Sequence, residues 1–102
     1  MNMLPQGEFA LPNLFTVSGY KIYFWAGDGD EPIHVHVSKG KPTSETTKIW
    51  LTKAGGCVLA SGGDKIPKRD LDKLMKVISA QFFYICAQWQ EFFVVDKIRF
   101  FC

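Results

Sequence analysis

The sequence predicts an α+β fold in which a small antiparallel β-meander of three or four strands packs on one long C-terminal helix. Residues 15–60 contain short segments in which apolar and polar side chains alternate, and glycine-rich turns separate these segments. Residues 67–93 instead carry apolar side chains at spacings of three and four, the period of an amphipathic helix. The whole chain has 102 residues, which is enough for one domain.

Four strands are predicted ahead of the helix. They cover residues 15–25, 33–39, 46–52 and 57–60. The first is bent or broken at Ser18 and Gly19, where a glycine permits a turn. Because the connections between these segments are short, consecutive strands are expected to pair antiparallel.

The helix is predicted over residues 67–93. Pro67 suits the first helical position, where a missing N–H costs nothing, and Asp70 lies where a carboxylate favours the helix dipole. The apolar stripe comprises Leu71, Leu74, Met75, Ile78, Phe82, Ile85, Cys86, Trp89, Phe92 and Phe93. Phe83 and Tyr84 fall off this stripe, so we expect both side chains to be exposed.

The domain is predicted to cover residues 14–93. An N-terminal arm at 1–13 carries Pro5, Gly7 and Pro12 and shows no periodicity. An apolar tail at 94–102 fits neither the helix period nor the strand period, and its composition favours folding back on the sheet or contact with another chain.

Composition and short motifs argue against several protein classes. The net charge of +2 is too small to indicate nucleic-acid binding by itself. Cys57, Cys86 and Cys102 are widely spaced, so they form neither a disulfide framework nor a CxxC metal motif. Charges interrupt every apolar run and the first residues lack a signal-peptide pattern, so we expect a cytoplasmic protein without membrane contact.

Both histidines of the chain, His34 and His36, lie two residues apart in the second predicted strand. Strand periodicity places both imidazoles on one face and Ile33, Val35 and Val37 on the other. If the helix covers the apolar face, the histidines lie on an open face. The other residues predicted on that face are Lys21, Tyr23, Trp25, Lys48 and Trp50.

Such a face is compatible with catalysis. His34 and His36 can act as general base and general acid on a phosphodiester, because an unperturbed imidazole titrates near neutral pH. Lys21 or Lys48 would then stabilise the charge that develops in the transition state.

Three other interpretations stay open for the same histidines. The two rings can ligate a divalent metal together with Asp28, Asp30 or Glu31. We expect no metal or other cofactor, and if one is bound the expected ligands are His34, His36 and Asp30. The aromatic face of Tyr23, Trp25 and Trp50 can stack on a single strand of nucleic acid. Finally, the histidines can be structural residues that pack between the two tryptophans.

Residues 11–93 resemble domain-of-unknown-function family 4160, a family of small bacterial proteins. The segments on which the resemblance rests are GYKIYFW at 19–25, EPIHVHV at 31–37, KIWL at 48–51, IPKRDL at 66–71 and WQEFF at 89–93. The resemblance implies a small α+β domain encoded beside another small partner, in a toxin–antitoxin-like context. Ile33 stands where a proline is common in the family.

We therefore expect a protein-interaction module of a bacterial or phage two-gene system, either toxin–antitoxin-like or defence-related. Such a module would bind a protein partner or its own copy. The alternative is a nuclease, meaning a phosphodiesterase or ribonuclease, or a single-stranded nucleic-acid-binding protein that uses the His34 and His36 face. Whether the protein is an enzyme stays open at this point.

Overall fold

The computed structural model describes residues 10–40 and 46–102, with the side chains of 13–40 and 46–102. Within these ranges five antiparallel strands form one sheet in the order β1-β2-β3-β4-β5. They are β1 (Ala10–Val17), β2 (Tyr20–Trp25), β3 (His34–Lys39), β4 (Thr47–Leu51) and β5 (Cys57–Ser61). The α+β class is therefore confirmed, whereas the predicted number of three or four strands is too low.

The additional strand comes from the segment predicted as one strand over residues 15–25. This segment belongs to two strands, β1 and β2, which form a hairpin in which Val17 pairs with Tyr20. Ser18 and Gly19 turn the chain between them with φ angles of 50° and 84°, a left-handed conformation that favours glycine. β1 begins at Ala10, and the first nine residues of the predicted arm lie outside the described residues.

Two helices, α1 (Lys68–Ala80) and α2 (Phe82–Phe93), occupy the range predicted as one helix. Gln81 separates them with φ −101° and ψ 19°. Its N–H still donates to Val77 O at 3.0 Å, and Ile85 N–H donates to Gln81 O at 2.9 Å. The interruption is therefore a local distortion, and no proline or glycine marks it in the sequence.

One hydrophobic core joins the sheet to both helices. The sheet contributes Ile22, Phe24, Val35, Val37, Ile49 and Leu51, and the helices contribute Leu74, Ile78, Phe82, Ile85 and Trp89. The period-two pattern of the strands and the stripe of the helices predict these residues. Among the described residues, no helix has the length and apolar content that crossing a membrane requires.

The tail at residues 94–102 returns to the sheet. Ile33 N–H donates to Arg99 O at 2.9 Å, which fixes the tail beside the start of β3. The Phe101 ring then stacks on Trp50 in β4, with ring centroids 4.8 Å apart. Of the two alternatives predicted for the tail, the structure therefore shows folding back onto the domain.

Candidate functional site

Strand pairing brings the residues predicted for the site onto one face of the sheet. Tyr23 pairs with His36, and His36 pairs with Lys48, so these three side chains form one row across β2, β3 and β4. His34 pairs with Trp50 two positions along β3. Since residues two apart on a strand share a face, the common face that the sequence predicts is confirmed.

Neither imidazole faces water, however. His34 is 0% exposed and His36 is 8% exposed, while Tyr23 beside them is 0% exposed. The prediction that this face lies open is therefore wrong. The reason is that a 3-10 turn, Ala26–Asp30, lies against the histidines. The Trp89 ring of α2 also packs there, with its centroid 5.6 Å from that of the His34 ring.

Asp28 is the residue that this turn places among the imidazoles. Trp25 N–H donates to Asp28 Oδ2 at 2.8 Å, and Glu31 N–H donates to Asp28 O at 3.0 Å. These bonds direct the carboxylate inward, so Asp28 is buried while Asp30 in the same turn is exposed. The acidic neighbour of the histidines is thus Asp28, whereas Asp30, the expected ligand, is exposed in the same turn.

A single carboxylate oxygen meets both rings. Asp28 Oδ2 lies 3.0 Å from His36 Nε2 and 3.2 Å from His34 Nε2. The first contact is a hydrogen bond. The second is too poorly aligned for one, so the buried His34 Nε2 has no hydrogen-bond partner within the described part of the chain.

The other ring nitrogens are held by neighbouring oxygen atoms. His34 Nδ1 lies 2.8 Å from Pro32 O, and since a carbonyl can only accept, this nitrogen carries a hydrogen and donates it. His36 Nδ1 lies 3.0 Å from Thr46 Oγ1. These two contacts orient the rings so that both Nε2 atoms lie beside Asp28 Oδ2.

The pKa of Asp28 reflects this arrangement. Burial raises the pKa of the carboxyl group, but the contacts with His34 and His36 and the N–H of Trp25 outweigh burial and hold the pKa well below its usual range. Asp28 therefore presents a negative charge to both imidazoles at neutral pH.

We call Asp28, His34 and His36 the His-Asp cluster. Aromatic rings surround this cluster. Trp50 lies 5.4 Å from the His34 ring and Trp25 lies 6.2 Å from the His36 ring. Tyr23 stacks on His36 with centroids 5.7 Å apart. The residues predicted as an aromatic binding face therefore line the cluster, and the two tryptophans keep half-buried outer surfaces.

The lysines predicted to support catalysis lie at the edge of this cluster. Lys48 Nζ forms an ion pair with Glu31 and lies 4.4 Å from the centroid of the Trp50 ring. Lys21 is half-buried and pairs with Ser38 of β3. The Lys48 ammonium group is therefore engaged by a carboxylate and an aromatic face.

The sequence predicts a turn between β2 and β3, but not that this turn packs against the histidines. Asp28 stands between two glycines, and Gly29 packs so closely on α2 that an added Cβ would lie 2.8 Å from Phe93 Cδ1. A glycine was therefore a signal of close packing at this turn, although Gly27 on the other side of Asp28 has nothing within 4 Å of an added Cβ. The period-two argument considers only the strands and cannot show this contact.

Comparison with known families places these elements in a wider group. The family model described as "Domain of unknown function (DUF4160)" matches residues 19–90. This range runs from β2 into α2 and includes the whole His-Asp cluster. No curated protein and no solved structure gives a significant match to the chain. Because the family model covers well over half of the sequence, the chain belongs to the DUF4160 family.

Proposed function

We propose that this protein is a protein-interaction module of a bacterial or phage two-gene system, of the toxin–antitoxin or defence type. The observation that carries the proposal is Phe83, which is 84% exposed on α2. The next residue, Tyr84, is 44% exposed. Adjacent exposed aromatic side chains are typical of surfaces that a partner covers, because large apolar groups gain most from removal from water.

A groove continues this surface from α2 toward β1. It has a volume of about 450 Å³ and is lined by Leu14, Phe15, Thr16, Val17, Val77, Gln81 and Tyr84. The Tyr84 ring lies 6.3 Å from Phe15, and its hydroxyl group donates to Leu14 O at 3.4 Å. The groove therefore shares Tyr84 with the exposed aromatic pair, and its lining combines apolar side chains with Thr16 and Gln81.

The groove also borders an edge of the sheet. β1 pairs with β2 alone among the described strands, so it is an edge strand of the sheet. An extended partner segment can add to such an edge and place alternate side chains in a neighbouring groove. This mode of binding suits either a small protein partner or a second copy of the chain.

The test is binding of the purified product of the neighbouring gene, measured by isothermal titration calorimetry. Phe83→Ser should weaken the affinity at least tenfold, which is the effect of losing about 1.4 kcal/mol. Leu59→Ser on β5 is the matched control, since Leu59 is 43% exposed at the other edge of the sheet, and it should bind as the wild type does.

Light scattering tests whether the partner is a second copy of the chain. A wild-type dimer that Phe83→Ser converts to a monomer would identify a second copy as the partner. A strict monomer that does not bind the neighbouring gene product would contradict the proposal. Equal binding by wild type and Phe83→Ser would also contradict it, because the surface would then carry no binding energy.

A nuclease or single-stranded nucleic-acid-binding role of the His34 and His36 face is the second candidate. It is supported by the row that joins Tyr23, His36 and Lys48. General acid–base catalysis requires a phosphate within hydrogen-bond reach of an imidazole, so the cover over the cluster would have to move. RNA and DNA cleavage should be compared for wild type and His36→Ala, with and without a chelator. Equal cleavage activity in both proteins would contradict a nuclease role of this face.

A further inference from the structure

We infer that Asp28, His34 and His36 form a binding site for one divalent transition-metal ion of the zinc class. The site shares no residue with the Phe83 surface, so this inference does not depend on the proposed interaction. It rests on the donor atoms, on an unpartnered buried nitrogen and on the contacts that orient both rings.

The donor atoms match the preferences of zinc. One ring nitrogen of His34, one of His36 and one carboxylate oxygen of Asp28 lie within 4.8 Å of one another. Zinc binds imidazole nitrogen and carboxylate oxygen, whereas Mg²⁺ and Ca²⁺ prefer oxygen ligands throughout. In a tetrahedral site with bonds of about 2.0–2.1 Å, neighbouring ligand atoms are about 3.3 Å apart. The distances from Asp28 Oδ2 to the two nitrogens, 3.0 and 3.2 Å, are close to that separation.

The unpartnered nitrogen points to a cation. His34 is 0% exposed, and its Nδ1 hydrogen is donated to Pro32 O. His34 Nε2 has no hydrogen-bond partner within the described residues, although Asp28 Oδ2 lies 3.2 Å from it. A buried polar atom of this kind is rarely left without a partner. A metal ion bound between the two atoms would supply one.

The surrounding contacts are those that metal-ligating histidines make. Such a histidine nearly always donates its other ring N–H to an oxygen atom, which fixes the ring for metal binding. Here Pro32 O and Thr46 Oγ1 occupy the two Nδ1 positions, and Trp25 N–H holds the carboxylate. The ligands are thus oriented by three contacts. At His36 a metal would replace the hydrogen that Nε2 donates to Asp28, and Nδ1 would then donate to Thr46 Oγ1.

Cobalt(II) and tryptophan fluorescence provide the test. All three tryptophans of the chain lie beside the histidines, with Trp50 and Trp89 5.4 and 5.6 Å from His34 and Trp25 6.2 Å from His36. Titration of the full chain with Co²⁺ should quench this fluorescence with an end point of one ion per chain. Visible absorption should show a tetrahedral site without a thiolate band, and Zn²⁺ should displace the cobalt.

Variants of the turn identify the ligands. Asp28→Asn and His36→Gln should each weaken Co²⁺ binding at least tenfold, because each removes one donor. Asp30→Asn is the matched control from the same turn, and it should bind Co²⁺ as the wild type does. Equal binding by Asp28→Asn and Asp30→Asn would overturn the inference, and so would a thiolate band that assigns the ion to a cysteine.

A thermal measurement on wild type keeps the inference testable if a variant fails to fold. A ligand that binds only the folded state raises the melting temperature. Zn²⁺ should therefore raise the melting temperature of wild type and Asp30→Asn, whereas the same concentration of Mg²⁺ should not. Failure of Zn²⁺ to raise it, together with no stoichiometric Co²⁺ binding, would overturn the inference.

Discussion

Nε2 of His36 lies 3.0 Å from Oδ2 of Asp28, and this buried hydrogen bond joins β3 to the 3-10 turn that precedes it. The contact closes the face of the sheet that strand periodicity leaves open. It also makes the turn part of the folded domain, since the carboxylate is held by both a side chain and the backbone.

Removal of the Asp28 carboxylate should therefore destabilise the protein. Asp28→Ala leaves the buried His36 Nε2 and the Trp25 N–H without their acceptor, and we expect the free energy of unfolding to fall by about 2–4 kcal/mol. Urea denaturation measures this change. Asp30→Ala, an exposed neighbour, should change it by less than about 0.5 kcal/mol. Equal effects of both substitutions would show that Asp28 is not a buried partner.

A methyl group at Gly29 should disturb the same turn. Its Cβ would lie 2.8 Å from the Phe93 ring, which is packed 4.4 Å from Trp89 and has little room to move. We expect Gly29→Ala to lower the free energy of unfolding by about 1–3 kcal/mol. Gly27→Ala is the control, because nothing lies within 4 Å of a Cβ there. An unchanged free energy of unfolding in Gly29→Ala would contradict the close packing of the turn against the helix.

Alkaline pH should weaken the fold through Tyr20. Its hydroxyl group donates to Asp70 Oδ2 at 2.8 Å, and this hydrogen bond, with burial, raises the pKa of the phenol above 10.0. A raised folded-state pKa means that the unfolded chain loses its proton first. The stabilisation is therefore complete below about pH 10 and is lost as the pH rises through the folded-state pKa.

Unfolding by urea at several alkaline pH values checks this. The free energy of unfolding should fall more steeply with pH in wild type than in Tyr20→Phe. Burial also raises the pKa of the Cys57 and Cys86 thiols, but both proteins share that contribution. A Tyr20→Phe slope equal to that of wild type would contradict the prediction.

The tail should contribute to the stability of the domain through Phe101. Its ring lies parallel to Trp50 within 7° and shields the indole from water. Phe101→Ala should lower the free energy of unfolding by about 0.5–1.5 kcal/mol and shift the tryptophan emission to longer wavelength. Phe83→Ala should change neither quantity, because Phe83 is 84% exposed. An unchanged emission for Phe101→Ala would place the tail elsewhere.

The elements that the sequence predicts well are those with a clear period. Alternation in β2, β3 and β4 correctly assigns Ile22, Val35 and Ile49 to the core and places Tyr23, His36 and Lys48 together. The helical stripe likewise identifies Leu74 and Trp89 as buried, and its gap leaves Phe83 exposed, as predicted.

Features set by irregular segments could not be predicted in this way. The burial of His34 and His36 depends on the turn at Asp28 and on the Trp89 side chain, neither of which belongs to a strand. The choice between Asp28 and Asp30 depends on how the turn is hydrogen-bonded. The interruption at Gln81 carries no proline or glycine to signal it.

The position of the hydrogen on the His34 ring is the most direct test of the proposed arrangement of Asp28, His34 and His36. Long-range nitrogen–proton correlation spectra of the two imidazoles, recorded at neutral pH without added metal, report which nitrogens carry hydrogen. The account predicts a hydrogen on His34 Nδ1 that exchanges slowly with water, because it is buried and donated to Pro32 O. A His34 ring that averages rapidly between its tautomers, or that carries its hydrogen on Nε2 alone, would contradict the account.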